Sequence, residues 1–436
     1  MDRRCGKAVQ WDSGQSRIDS TGHSSTNHTV HAEWVDGKHS IGRALDNAEH
    51  LTQDRWPADK PALHPGAGTC MIDHATLQQA IANERAEALA FDGLEYARLL
   101  DRVNRYPRGS VVLSDGAVVP GYPAIGRIQS LEAGLPRQFD QPFWAEEKID
   151  GYNVRILRRD GRIHAFSRGG FVCAFSTDRV PEFLDPAVFD AEPDLVLCAE
   201  IAGPDTPYLE GSTPRVEHDV DLFVFDLMRL GEPGFLPQAE KFALMERHGL
   251  PAAPLHGQFT PQDTDALGRL IRQLDAEGAE GLVLKSDDGQ YRAKYVTGGS
   301  CINDIGVCSE QLLDLPPEYF TNRLIRLAVY LAEHPPRDPA AVERELGRAL
   351  LAGLDTAVEK SRHDGRVSHT YRCRFRERAG ARRFIEHMQA TGGRHVRFHP
   401  DTPRREGSYW VLEFERLFDH MAGTLGSALA GERQYD

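Results

Sequence analysis

The sequence predicts an α+β protein built on antiparallel sheets. Three observations predict it. Short apolar strands with Asp-Gly turns run from about residue 109 to about 300; helical text is inserted between them without strict strand-for-strand alternation; and helices follow from about 310 before strands return near 367. Breaks in composition divide the chain into 1–70, 71–140, 141–310, 311–362 and 363–436.

Residues 1–70 are polar and rich in Ser, His, Asp and Gly, and such text buries too little apolar surface to offset the entropy of ordering. They are expected to form a disordered extension, with Met71 a candidate start. From Met71 to Tyr106 the abundance of good helix formers predicts helix. WAEEKIDGYNVRILRRDGRIHAFS then reads as extended segments turning at Asp160–Gly161, and EGLVLKSDDGQYRAKYV as a hairpin turning at Asp288–Gly289. DLVLCAEIAG and VDLFVFDLM are short apolar strands, with QAEKFALMERHG and DALGRLIRQLDAEG as helices between the strands. EYFTNRLIRLAVYLAEH and DPAAVERELGRALLAGLDTAVEKS are helical, and the remaining residues predict a small α+β module.

The formal net charge of −14 argues against adhesion to nucleic acid through bulk charge, so any such binding needs local basic surfaces. Residues 362–405 offer one, with twelve arginines against four acids and with Tyr371, Phe375 and Phe398 among them; they are a candidate RNA surface. No apolar run approaches the ~20 residues of a membrane span. The seven cysteines form no CxxC pair, which suits a reducing cytoplasm.

The chemistry centres on Glu146-Glu147-Lys148-Ile149-Asp150-Gly151. A lysine amine is a nucleophile only when neutral, which burial or neighbouring cations favour. A lysine at the end of an apolar strand, before a tight Asp-Gly turn, suits the floor of such a pocket. In order after it come Ser167-Arg168-Gly169-Gly170, Glu200, Val224-Phe225-Asp226-Leu227, Glu280-Gly-Leu-Val-Leu-Lys285 and Arg292-Ala-Lys294-Tyr295.

This ordered set resembles the motifs of the covalent nucleotidyltransferases: DNA ligases, RNA ligases and mRNA capping enzymes. With GYPAIGRI at 121–128 and INDI at 302–305, it is most similar to the archaeal-type homodimeric ATP-dependent RNA ligases, the third RNA ligase family. The resemblance implies an N-terminal module at 71–140, an ATP-grasp-like adenylyltransferase domain at 141–310, a helical dimerisation module at 311–362 and a C-terminal α+β domain at 363–436. It implies ATP as substrate, Mg²⁺ or Mn²⁺, single-stranded RNA with a 5′-phosphate, a homodimer, and transfer of AMP from lysine to RNA before the 3′-hydroxyl attacks. By motif position Lys148 is the nucleophile, Glu146 accepts from the adenine amino group, and Asn153 and Arg168 contact the ribose, with Arg155 an alternative. Phe225 stacks on the purine, with Phe223 on the same strand face. Lys285 and Lys294 hold the α-phosphate, assisted by Arg292, which stands where many relatives carry lysine. Glu280 lies near a metal, and Glu200 near the ribose or a metal. DNA ligases and capping enzymes usually place an OB-fold after the last motif, whereas helical text follows here; a capping enzyme would use GTP. A catalytically silent RNA-binding dimer is the reading from another class.

Overall fold

The computed structural model describes residues 71–209 and 213–432. The expectation of a disordered stretch before Met71 lies outside the described residues.

The N-terminal module opens with α1 (His74–Ala82), capped by Asp73, whose carboxylate accepts from the Thr76 amide at 2.9 Å. It continues as β1 (Ala86–Phe91), β2 (Leu94–Leu99), β3 (Val111–Leu113) and β4 (Val118–Val119), forming one sheet in sequence order. This corrects the helical reading of 71–106: the helix ends at Ala82, and β1 and β2 form a hairpin around Asp92–Gly93, at φ 50° and 85°. Burial of Leu94, Tyr96, Ala97 and Leu99 outweighs the helix propensity of the Ala- and Leu-rich text.

Next come β5 (Gly126–Arg127), α2 (Leu131–Gln138), β6 (Phe143–Lys148), β7 (Tyr152–Arg159), β8 (Arg162–Ser167), α3 (Ala174–Arg179), α4 (Val188–Ala191), β9 (Leu195–Ala202) and β10 (Asp221–Arg229). They are followed by α5 (Gln238–His248), β11 (Leu255–Phe259), α6 (Thr264–Ala276), β12 (Gly281–Ser286) and β13 (Arg292–Val296). Two sheets result. One has the order β10-β9-β7-β8; the other has β11-β6-β12-β13-β5, with β5 parallel to β13 and the other pairs antiparallel. The Asp160–Gly161 turn joins β7 to β8 with both residues at positive φ, the geometry that matches strand twist.

Both sheets are buried on the face away from each other's cleft. Leu197, Ala199, Ile201, Leu222 and Val224 pack against α3 and the C-terminal module. Phe143, Ala145, Leu282, Leu284 and Ala293 pack against α2 and α6.

The helical layer comprises α7 (Gly298–Glu310), α8 (Pro317–Glu333) and α9 (Pro339–Asp364), so it starts before residue 311. Its Cys301, Ile302, Ile305 and Leu327 form a core of their own. The last module is β14 (Ser368–Phe375), α10 (Arg378–Gly392), β15 (Val396–Phe398), β16 (Arg404–Glu406), β17 (Tyr409–Leu417) and α11 (Asp419–Leu429). Among the described residues no helix is long and apolar enough to cross a membrane.

Candidate active site

Strand β6 lies in one sheet and β7 in the other, so the Ile149–Asp150–Gly151 turn is where the chain crosses between them. Gly151 runs hard against β9: a Cβ there would sit 2.6 Å from the Glu200 Cγ and from the Ile201 carbonyl oxygen. The turn fixes Lys148 at the cleft, where its Nζ lies 2.8 Å from Glu280 Oε2. Strand alternation puts Glu146 on the same face and Glu147 on the other. Glu147 is buried and accepts from Arg215 at 2.6 and 2.7 Å.

Opposite Lys148, β10 carries Phe223 and Phe225, both half-buried and lining the cleft. The register of β10 on β9 slips between Val224 and Asp226. The extra residue turns Asp226 to the face of Phe225, whereas unbroken alternation would have turned it away. The Tyr122 ring centroid lies 6.1 Å from that of Phe225, and its hydroxyl donates to the Val154 carbonyl at 2.8 Å. These aromatic walls enclose a cavity of ≈ 380 Å³ with Lys148, Asn153, Arg168, Glu200, Lys285, Arg292 and Lys294 on its lining.

On the same side Arg168 donates to the Asn153 side-chain oxygen, and the Asn153 amide donates to Glu200. Burial pushes the Glu200 carboxyl up to about 7, against the pull of Lys148 and Arg168 and with the help of Glu280 and Asp150. Arg155 is elsewhere. Fully buried, it donates to the carbonyls of Pro120, Gly109 and Ser167 at 2.6, 2.7 and 2.6 Å, so it braces the strand from behind and does not reach the cleft.

The cations at the cleft divide into two kinds. Lys285 is buried and donates to Glu146 at 2.6 Å and to the Phe225 carbonyl at 2.7 Å, with Asp226 3.1 Å away. Arg292 pairs with Asp226, and its guanidinium lies 3.4 Å from the Phe235 ring centroid. Lys241, from α5, donates to Glu146 and to the Phe225 carbonyl. Burial opposes ionisation of Asp226, but Lys285, Arg292 and Lys241 outweigh it and hold the carboxyl below its usual range. Lys285 and Arg292 therefore form the charged floor under Phe225, and Glu146 is gripped by two lysines. Lys294 differs. It is half-buried, and among the described residues no carboxylate lies within ion-pair distance of it. Burial, then Arg127, Lys148 and Arg168, bring its amine down to about 6.

No group of three or more His, Cys, Asp or Glu among the described residues is placed to hold a metal ion unaided. Glu280 and Glu200 both act on the surroundings of Lys148. Two carboxylates beside a phosphate pocket fit a hard divalent cation that keeps waters and phosphate oxygens as its other ligands.

An RNA ligase family model matches residues 141–296, and a model of the C-terminal region of archaeal ligases of the Pab1020 type matches 307–432. Two solved forms of an archaeal ATP-dependent RNA ligase align at 25% identity with TM-scores of 0.75 and 0.74, each over 83% of this chain and 96% of theirs. The chain belongs to the archaeal-type ATP-dependent RNA ligases. A solved structure from Aquifex aeolicus, described provisionally as an ATP-dependent DNA ligase, is 40% identical with a TM-score of 0.77, over 83% of this ligase and 100% of that chain. An uncharacterized protein of Methanocaldococcus jannaschii is 28% identical over 291 residues, 65% of this ligase and 74% of the relative.

The arginine-rich module of the ligase does not present the surface that its composition suggested. Tyr371 and Phe375 are buried against the core, with Phe398 packed at its edge. Arg372 and Arg374 pair with Asp205, Arg376 with Glu182, Arg383 with Asp92, Arg366 with Glu415 and Arg404 with Glu413. Most of that charge binds modules together and is not free for RNA. Sequence reasoning missed Tyr122, Asp226 and Lys241, although Tyr122 lies inside the GYPAIGRI text and Asp226 next to Phe225.

Proposed function

We propose that this ligase joins the 5′-phosphate and 3′-hydroxyl of single-stranded RNA, with circularisation as the favoured outcome, through AMP carried on Lys148. The observation that carries the reading is the convergence of Lys148, Lys294 and Glu280 at one end of a cleft whose other end is walled by Phe225 and Tyr122. Adenine stacks against Phe225, Asn153 and Arg168 meet the ribose, and the α-phosphate lies between Lys148 and Lys294. The Lys148 amine forms a bond to phosphorus, the bond to the bridging oxygen breaks, and pyrophosphate leaves. AMP then passes to the RNA 5′-phosphate, and the 3′-hydroxyl displaces it. A divalent cation, Mg²⁺ or Mn²⁺, would be held by Glu280 and Glu200 and would supply charge neutralisation at the phosphates. Lys285 and Arg292 act by supporting the floor, and Glu146 still has lone pairs for the adenine amino group although both lysines hold it.

Two copies pair through the helical module, where Ile325 and Leu351 are 60% and 57% exposed. Light scattering that finds only a monomer at micromolar concentration would contradict this.

The name of the Aquifex relative favours a second reading, sealing of nicked duplex DNA. The chain after β13 enters α7, α8 and α9, not a barrel of strands, which supports the RNA reading. End-labelled 5′-phosphorylated RNA, ATP and Mg²⁺ decide between them. A phosphatase-resistant circle is expected; sealing of nicked DNA with no RNA product would overturn the proposal.

A further inference from the structure

The cleft-facing side of the five-stranded sheet continues past Lys294 to a cation that the catalytic account does not use. Arg127 on β5 is the register partner of Lys294 on β13, and the Ile128 amide donates to the Lys294 carbonyl at 3.0 Å. Register partners project from the same face of a sheet, so Arg127 stands beside Lys294 on the side away from the aromatic wall. Arg326 comes to the same place from α8. That helix is tied to β13 by Tyr295, which donates to Glu333 at 2.7 Å and lies 2.9 Å from His334 Nε2. Its neighbour Arg323 is satisfied by Asp304 at 2.9 Å.

Arg127 and Arg326 are both half-buried, and among the described residues neither has a carboxylate within ion-pair distance. This is unusual company in a chain with 65 acidic residues against 51 basic ones. Partly buried cations need a counter-charge or they repel. Burial, then Arg326, bring Arg127 down to about 10, and burial, then Arg323, lower Arg326. The cost is recovered when an anion enters.

We propose that Arg127 and Arg326 form a phosphate subsite beyond Lys294 that holds the β- and γ-phosphates of ATP and the departing pyrophosphate. It rests on the reading of Lys148 and Lys294 as the α-phosphate end of the cleft. The adenylyltransferase domain supplies one arginine and the helical module the other, so the triphosphate bridges the two. The 5′-phosphate of RNA has the same chemistry and is the rival source.

The test uses the full chain with Arg127→Ala, Arg127→Lys and Arg326→Ala. Calorimetric titration with inorganic pyrophosphate and Mg²⁺ should show affinity falling roughly 10- to 100-fold in the two alanine variants, the loss of a charge-assisted contact, with partial recovery in Arg127→Lys. The KM for ATP in self-labelling should rise by a similar factor, and pyrophosphate should discharge preformed lysyl-AMP less effectively. Melting temperature should hold or rise, because an uncompensated cation is removed. The pyrophosphate titration also runs in Lys148→Ala, so a failure of the lysine reading is distinguishable from a failure of the subsite. Unchanged pyrophosphate affinity overturns the proposal. So does normal pyrophosphate binding with impaired transfer from preformed lysyl-AMP to 5′-phosphorylated RNA, which would give the subsite to RNA instead. Lost binding with a falling melting temperature and no rescue by lysine would mark the arginines as merely structural.

Discussion

Lys294 should take up a proton when ATP binds. In the free protein burial and the charges of Arg127, Lys148 and Arg168 bring its amine down to about 6, so at pH 7.5 only ~3% of molecules carry the proton. A triphosphate beside it reverses the balance, because the anion favours the ammonium. Binding at pH 7.5 then draws about one proton from solution, at a cost of ~2 kcal/mol for a gap of 1.5 units at ~1.36 kcal/mol each. Uptake falls to ~0.5 proton near pH 6, and apparent affinity weakens about tenfold per pH unit above it. The assay is calorimetry with an α,β-methylene analogue of ATP, which cannot transfer AMP, in two buffers of different ionisation enthalpy. The difference in observed heat gives the proton count. Uptake near one that disappears in Lys294→Met is expected. No uptake at pH 7.5, or uptake that persists in the variant, would refute the reasoning. The same depressed pKa has a stability signature. Between about 6 and the ~10.4 of an unfolded lysine the unfolded chain holds the extra proton, so the free protein gains stability as pH rises across that window.

Three further outcomes follow. Asp226→Asn leaves buried Lys285 and Arg292 without their shared carboxylate and should cost ~3–5 kcal/mol in a denaturant titration; a loss under ~1 kcal/mol would mean that water reaches these charges. Glu200, held near 7 by burial, binds a proton more readily folded than unfolded, so stability falls as pH rises from ~4.3 to about 7; in Glu200→Gln melts across that range should lose this slope. Phe225→Ala removes a stacking wall and should raise the KM for ATP ~5- to 150-fold, matching ~1–3 kcal/mol, with little change in melting temperature; an unchanged KM would leave Tyr122 and Phe223 as the purine contacts.

The legible parts of the site were those set by local rules. The Asp-Gly turn at 160–161 and the strand alternation that puts Lys148 and Glu146 on one face need no knowledge of the rest of the chain. The division of labour among the cations was not legible. Lys285 and Lys294 stand on adjacent strands and face the same side, but Asp226 engages the first and leaves the second. Plain alternation would turn Asp226 away from Phe225; one extra residue in β10 brings it round, and nothing in VDLFVFDL announces that slip. Arginines 372, 374 and 376 looked like a free basic surface because their partners Asp205 and Glu182 lie about 170 to 190 residues earlier. The β1–β2 hairpin was misread although Asp92–Gly93 carries a hairpin signal, since Ala, Glu and Leu around it are also good helix formers.

The central claim is that Lys148 carries the nucleotide. Lys294 stands beside it with its amine down at about 6, so chemistry alone leaves two candidate nucleophiles in one cleft. Incubation with ATP labelled at the α-phosphate, followed by digestion at neutral or alkaline pH and mass mapping of the AMP-bearing peptide, separates them. The account predicts AMP on Lys148 in the unaltered chain, none in Lys148→Ala, and slower labelling still on Lys148 in Lys294→Met. AMP on Lys294, or labelling that survives Lys148→Ala, would contradict it.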